Sequence, residues 1–307
     1  MVNFLSIIFI FLSPFAFLFG QFDVAPEQAA DFNFNPGLAN AISSIIISTA
    51  RETNPNFLPI RNWHINQPEI EAKAALIFAP EKNKILYQKN IEQVLPIASL
   101  TKLMTGLVIL EEMDLDQIVT VSKEAVAAYG DMGGLVIDEK ISVKNLLYAL
   151  LMESSNDAAV ALAENFREAS LVDLMNKKAE ELGLTKTHFV DPTGYNPANL
   201  STALDLAKLV KYSLEKPVIW QILKTISIDL SSADGIINHH FTNTNQLLDS
   251  WPIIIGGKTG YTDEAHDCML LVIEQSSEYL IIIVLGTQER FSETEKLINW
   301  VKEAYIW

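Results

Sequence analysis

Apolar positions fall into three regimes along the chain. Residues Val2 to Phe19 are almost wholly apolar, interrupted by Asn3, Ser6, Ser13 and Pro14. From Gln21 to Glu71 regularity is lost: Pro26, Pro36, Pro55, Pro59 and Pro68 punctuate the segment, with one short apolar run at Ile42 to Ile47. Beyond Ala72 the pattern becomes periodic. Ala74 to Ala79 and Lys84 to Gln88, joined by Pro80-Glu81-Lys82-Asn83, carry the signature of a β-hairpin. Leu100, Leu103, Met104, Leu107 and Val108 then recur at helical spacing after Pro96, which predicts a buried helix from about Ala98. Further helices are expected over Ser142–Met152, Asp157–Phe166, Leu171–Leu182 and Thr202–Leu214, with Glu153-Ser154-Ser155-Asn156 as a polar break between the first two. After Pro217 the runs Ile253–Ile255, Cys268–Ile273 and Leu280–Leu285 read as strands, and Glu293–Tyr305 as a closing helix. Strands at both ends with helices between them predict an α/β (α+β) fold. Its antiparallel sheet draws on both chain ends, is flanked by helices, and has an all-helical subdomain inserted.

Three segments follow from this. Residues 1–20 read as a signal peptide or membrane anchor, because so apolar a start with so few polar positions is a poor place for a buried core helix. No Lys or Arg precedes Arg51, and Leu18 departs from a small-x-small cleavage pattern, so cleavage and retention both stay open. Asp23, Glu27 and Asp31 follow without a nearby cation, which favours export to the extracytoplasmic face of the cytoplasmic membrane, or to a periplasm. Residues 21–71 read as an irregular extension or spacer, and residues 72–307 as the globular domain.

Composition narrows the partners. A net charge of −16 repels nucleic acid and anionic lipid surfaces, so no nucleic acid is expected to bind. Cys268 is the sole cysteine, which excludes an intrachain disulfide, and its strand-like apolar setting predicts a buried, inert thiol. His64, His188, His239, His240 and His266 show no metal-ligand spacing, and neither a metal nor another cofactor is expected.

The candidate chemistry begins at the first long helix. Ser99 and Lys102 lie three residues apart on its opening turn, which holds a hydroxyl beside an amine able to take its proton. Ser-x-x-Lys alone is weak, since such pairs arise by chance with a capping serine and a solvated lysine. Two further signals follow in order: Ser154-Ser155-Asn156 in the break between helices, and Lys258-Thr259-Gly260 after a Gly-Gly pair. Together they make the chain resemble the penicillin-recognising serine acyl-enzymes, with a β-lactamase/transpeptidase-like fold. Within these it is most similar to the low-molecular-weight D-alanyl-D-alanine carboxypeptidases. Leu146 to Leu151, Asn156-Asp157-Ala158-Ala159, Asp191-Pro192-Thr193-Gly194, Ser201-Thr202-Ala203, Asn243-Thr244-Asn245 and Lys258 to Asp263 extend the resemblance, which covers about Ala74 to Trp307. Ser155 departs from it, standing where the family commonly has Gly.

The resemblance implies roles. Ser99 is the expected nucleophile and Lys102 its base, provided the amine is neutral, which burial and the nearby Lys258 favour. Ser154 is expected to relay a proton to the departing amine, and Asn156 to orient Lys102 and bind the substrate backbone. Lys258 and Thr259 are expected to hold a terminal carboxylate, and Gly260 to allow close backbone approach. The backbone N–H groups of Ser99 and Tyr261 would form an oxyanion hole. Asp191 to Gly194 reads as a turn near the site. The implied activity is removal of the terminal D-alanine from peptidoglycan stem peptides ending in D-alanyl-D-alanine, with β-lactam antibiotics as inhibitors. The same site could serve a DD-endopeptidase or a β-lactamase, and a catalytically idle peptidoglycan- or penicillin-binding protein would share the motifs.

Overall fold

The computed structural model describes residues 59–130, 133–166 and 169–307. The apolar segment at residues 1–20 and the spacer up to residue 58 lie outside the described residues. In chain order the first elements are β1 (Ile60–Arg61), β2 (Ala74–Ala79), β3 (Lys84–Lys89), β4 (Leu95–Pro96) and α1 (Thr101–Glu112). Next come β5 (Ile118–Thr120), α2 (Lys123–Val126), β6 (Lys140–Ser142), α3 (Val143–Tyr148), α4 (Asn156–Ala163) and α5 (Leu171–Glu181). They are followed by β7 (Leu200–Ser201), α6 (Ala203–Ser213), α7 (Pro217–Lys224), β8 (Ser227–Ser231) and β9 (Asn238–Thr242). The last elements are β10 (Ile254–Gly260), β11 (Asp267–Gln275), β12 (Glu278–Thr287), α8 (Arg290–Ala304) and β13 (Tyr305–Ile306).

The central sheet runs β10-β11-β12-β2-β3, antiparallel throughout, so strands from both ends of the domain meet as the sequence predicts. Its register aligns Lys258, Leu270, Ile283 and Leu76 across four strands. The β2, β11 and β12 strands are almost unbroken apolar runs because the sheet is covered on both faces. Leu76, Leu270 and Ile283 enter the core shared with α1, α3 and α6, whereas Ile77, Leu271 and Ile282 pack with Leu297, Ile298 and Val301 of α8. Lys258 is therefore in register with residues that face the helical subdomain. Its strand, β10, is one edge of the sheet, opposite β3, and pairs with β11.

Several elements differ from the sequence reading. The helix expected over Ser142–Met152 is α-helical only to Tyr148 and continues as a π-turn, Ala149–Glu153. Pro217, read as the end of the helical region, instead starts α7 at its first position, where its missing N–H costs no helical bond. The β8–β9 hairpin, unassigned from the sequence, carries alternating exposed and shielded positions. Of the His239-His240 pair, His239 is buried, with Nε2 2.7 Å from Glu139 Oε1. β10 continues through Gly256-Gly257 to Gly260, with a shift of register against β11 between Ile254 and Gly256; a Cβ at Gly256 would lie 2.9 Å from Leu223 Cβ and one at Gly257 2.7 Å from Leu271 Cδ1, so glycine is what lets these neighbours close in. What reads as a break is a strand on which neighbours pack flush. Residues before Ala72 also join the domain: β1 pairs with β13, and the Arg61 guanidinium lies 4.6 Å from the centre of the Trp300 ring. Cys268 is buried, and burial pushes its thiol up to about 11.

Candidate active site

The site assembles where the start of α1, the α3–α4 junction, the 191–199 loop and the end of β10 converge. Ser99 sits in a 3₁₀ turn, Ala98–Leu100, ahead of α1, so the regular helix begins two residues after it. Ala98 takes φ +47°, a left-handed value uncommon for a residue with a Cβ. The turn is wedged from outside: at Gly194, φ +81°, an added Cβ would fall 2.0 Å from Ala98 O. On the other side a Cβ on Gly260 would stand 3.0 Å from Ser99 N. At Gly194 a Cβ would block this approach of main chain to main chain outright, and at Gly260 it would press on the turn.

Lys102 is wholly buried, and its Nζ lies 3.0 Å from Ser99 Oγ, 2.7 Å from Asn156 Oδ1 and 2.6 Å from Thr193 O. The two carbonyl oxygens can only accept. A neutral amine gives them its two hydrogens and keeps its lone pair for the Ser99 hydroxyl proton. Asn156 is oriented by its own amide, which donates to Tyr129 O at 2.6 Å and so turns Oδ1 toward the lysine.

Ser154 closes the π-turn in a left-handed conformation, φ +67°. Its Oγ accepts a 2.9 Å bond from Lys258 Nζ, which leaves its own proton to be donated elsewhere. Ser155 accepts from Ala158 N at 3.0 Å, capping α4, and its hydroxyl also bonds Asp157. Asp157 in turn accepts from Gly133 N and Leu135 N at 2.9 and 3.1 Å, which fastens the loop beside Gly130 to the Ser-x-Asn turn.

The loop after α5 supplies the second carbonyl acceptor for Lys102, the Thr193 oxygen, and Asp191 shapes it. Asp191 Oδ1 accepts from Thr193 N, Thr193 Oγ1 and Gly194 N at 2.7, 2.5 and 2.8 Å. Its Oδ2 accepts from Asn196 N and Asn199 Nδ2 at 2.9 and 2.6 Å. Burial pushes this carboxyl up, but the bonds from Thr193, Asn196 and Gly194 outweigh it and hold the group below its ordinary 3.8.

The cleft has two lobes that meet at Ser99 and Tyr261. One, of about 300 Å³, is lined by Gly130, Asn156, Tyr195, Tyr261, Asp263 and Glu264 among others. The other, of about 280 Å³, is lined by Ser154, Thr244, Thr259, Gly260, Arg290 and Phe291 among others. Lys258, 1% exposed, turns its amine to Ser154 rather than into a lobe, while Thr259 Oγ1 meets Thr244 Oγ1 at 2.6 Å. Arg290 stands beside them, held by Gly260 O at 2.8 Å and Asp267 Oδ1 at 2.6 Å. The geometry brings together Ser99, Lys102, Ser154, Asn156, Lys258, Thr259, Gly260 and Tyr261, all expected from the sequence. Sequence reasoning missed Arg290, which belongs to no local motif, and the carbonyls of Thr193 and Tyr129, whose side chains give no hint of their role.

The sequence profile of the D-alanyl-D-alanine carboxypeptidase family matches residues 62–289. A D-alanyl-D-alanine endopeptidase of Pseudomonas aeruginosa is 31% identical over 281 residues, 88% of each chain. A D-alanyl-D-alanine carboxypeptidase of a Streptomyces species is 31% identical over 258 residues, 77% of this chain and 89% of the relative. The crystal structure of the Streptomyces K15 DD-transpeptidase superposes with a TM-score of 0.73 at 30% identity, covering 77% of this chain and 98% of that one.

Proposed function

Since the chain belongs to the D-alanyl-D-alanine carboxypeptidase family and is a serine-type peptidase of that class, we propose that Ser99 is its nucleophile, activated by a neutral Lys102. The observation that carries this is the Lys102 amine, buried and ringed by Ser99 Oγ, Asn156 Oδ1 and Thr193 O. Ser99 Oγ attacks the carbonyl carbon of the D-alanyl-D-alanine bond as its proton passes to Lys102 Nζ. The carbonyl oxygen takes up the negative charge facing the N–H groups of Ser99 and Tyr261. On collapse the C–N bond breaks, and Ser154 relays the proton from Lys102 to the departing amine, giving its own and taking the lysine's, so that Lys102 is again neutral; Lys258 beside it balances the charge that builds on the Ser154 oxygen in the transfer. Water then hydrolyses the ester, returning Ser99 its proton. The terminal carboxylate goes to Thr259 and Arg290, which line the leaving-group lobe, while Lys258 acts on Ser154.

Enzymes of this family act on the cell wall, outside the cytoplasm. Among the described residues no helix is long and apolar enough to cross a membrane. We assign export to residues 2–19; full-length protein fractionating in the cytoplasm would contradict this. Cross-link cleavage is a second reading, supported by the endopeptidase relative and by a leaving-group lobe roomier than one alanine requires. Intact mass and peptide mapping after incubation with benzylpenicillin test the mechanism: an adduct is expected on Ser99, and an adduct elsewhere, or none, overturns it. D-alanine release from a pentapeptide, set against cleavage of a cross-linked dimer, separates the two activities.

A further inference from the structure

Ser154 ends the π-turn Ala149–Glu153 at φ +67°, and a residue with a Cβ keeps such a conformation only where its surroundings over-determine it. One tie is internal: Ser155 N donates to Ala149 O at 3.1 Å. Two more come from the strand that leaves the β8–β9 hairpin. Thr244 N donates to Met152 O at 3.0 Å, and Thr242 N donates to Glu153 Oε1 at 2.9 Å. Residues two apart on an extended strand turn their N–H groups to the same side, so both of these reach the turn. Asn243 N points the other way, to Ile226 O at 2.8 Å. The strand is therefore a rail between β8 and the two residues ahead of Ser154. The hairpin is anchored at its far end, where buried His239 meets Glu139 Oε1 at 2.7 Å and Asn145 Nδ2 donates to Ser231 O at 3.0 Å. The Met152 tie is main chain to main chain and open to any residue; the other needs the Glu153 side chain. Burial pushes this carboxyl up, and the Thr242 N–H opposes that rise, which marks the side chain as drawn out of water onto the rail.

We infer that Glu153 is a positioning residue for the proton relay: by gripping Thr242 N it fixes the end of the turn from which the Ser154 hydroxyl serves the departing amine. Glu153 lines neither lobe of the cleft, so it acts through Ser154 and not on the substrate. Without its Oε1 the turn keeps the Met152 tie, but the Glu153–Ser154 peptide gains freedom and the hydroxyl drifts from its line to the amine. Ser99 and Lys102 stand on a different element, at the start of α1, and keep their geometry. The inference rests on Ser154 as the relay in the mechanism above.

The test compares two substrates in each protein: a peptide ending in D-alanyl-D-alanine, and its counterpart with sulfur in place of the nitrogen of the cleaved bond. An amine departs only when protonated, whereas a thiolate, conjugate to a thiol of pKa about 8.5, leaves without a proton. Both substrates give the same acyl-enzyme, so their kcat/KM values isolate the step that the relay serves. In Glu153→Leu the amide value is expected to fall about tenfold and the thioester value less than about twofold. Thr242 is exposed, so water takes up its freed N–H, and comparing two substrates within one variant cancels any loss of folded protein. Glu153→Gln keeps an Oε1 acceptor and should restore the amide value; a Gln variant as impaired as the Leu variant overturns the inference. Ser154→Ala is the reference and should show the same split, enlarged. With that split present, equal falls for both substrates in Glu153→Leu, or no fall in either, reduce Glu153 to a structural tie and overturn the inference. A split missing from Ser154→Ala removes the relay reading itself, and the inference with it.

Discussion

Replacing Asp191 by Asn tests whether the 191–199 loop positions the base. The substitution preserves size and leaves Oδ1 to accept from Thr193 N, Thr193 Oγ1 and Gly194 N. It replaces Oδ2 by an amide, whose hydrogens then face two donors, Asn196 N and Asn199 Nδ2. Each lost bond to a charged acceptor is worth about 1.5–3 kcal/mol, an upper limit near 6 kcal/mol for the pair; because Asn196 N is exposed and can rehydrate, about 2–3 kcal/mol is expected. For a domain of this size that lowers Tm by about 4–12 °C. Loosening Thr193 also lets its carbonyl drift from Lys102, and acylation by benzylpenicillin should slow about tenfold or more. The pH dependence fixes the origin. A carboxyl held below 3.8 in the fold stabilises fully above that value, and the contribution vanishes as pH falls through the folded-state value. The two melting curves should therefore differ most near neutrality and converge in acid. Equal melting near neutrality together with unchanged acylation would refute the argument. A melting loss with unchanged acylation would break the link from loop to base.

Lys102→Arg puts a permanent cation in place of the neutral amine and cannot present a lone pair, so acylation should be lost; adduct formation at the native rate, measured by intact mass, would exclude a neutral lysine as base. In Gly194→Ala the new Cβ meets Ala98 O at 2.0 Å and the backbone sits at φ +81°, so the variant should lose about 3 kcal/mol or more of stability and most acylation. A calorimetric melt and adduct mass matching the native protein would show the wedge to be dispensable. The penicilloyl-enzyme should persist for minutes, because the 190–197 stretch has no Glu and both oxygens of Asp191 are occupied within the loop. Timed mass spectra showing penicillin turned over many times per second would instead make the protein a β-lactamase.

What was legible in the sequence is what repeats or spaces itself along the chain. β2, β11 and β12 could be read because a sheet covered on both faces leaves unbroken apolar runs, and α1 because its buried positions recur at helical spacing. The three motifs were legible as short strings of reactive side chains. The failures share a different cause. Gly256 and Gly257 look like a loop, since local propensity cannot see Trp220 and Leu223 pressed against the strand. Thr193 contributes a carbonyl, which every residue has, so nothing in its identity singles it out. Arg290 reaches the cleft only because α8 begins next to β10, a neighbour far away in sequence.

The place of β10 at the sheet's edge has one more consequence. An unpaired edge is a template for any extended chain, and soluble proteins usually blunt theirs with charge, a bulge or a cover. Here the edge borders the proposed nucleophile, so a strand laid fully along it would close the cleft. The strand is kept from foreign sheets by crowding: α7 presses on Gly256, and the Ser99 turn stands over Gly260. Under the proposed mechanism a bound peptide lies beside the same edge, so a filled cleft would also leave less of it for a second strand to pair with.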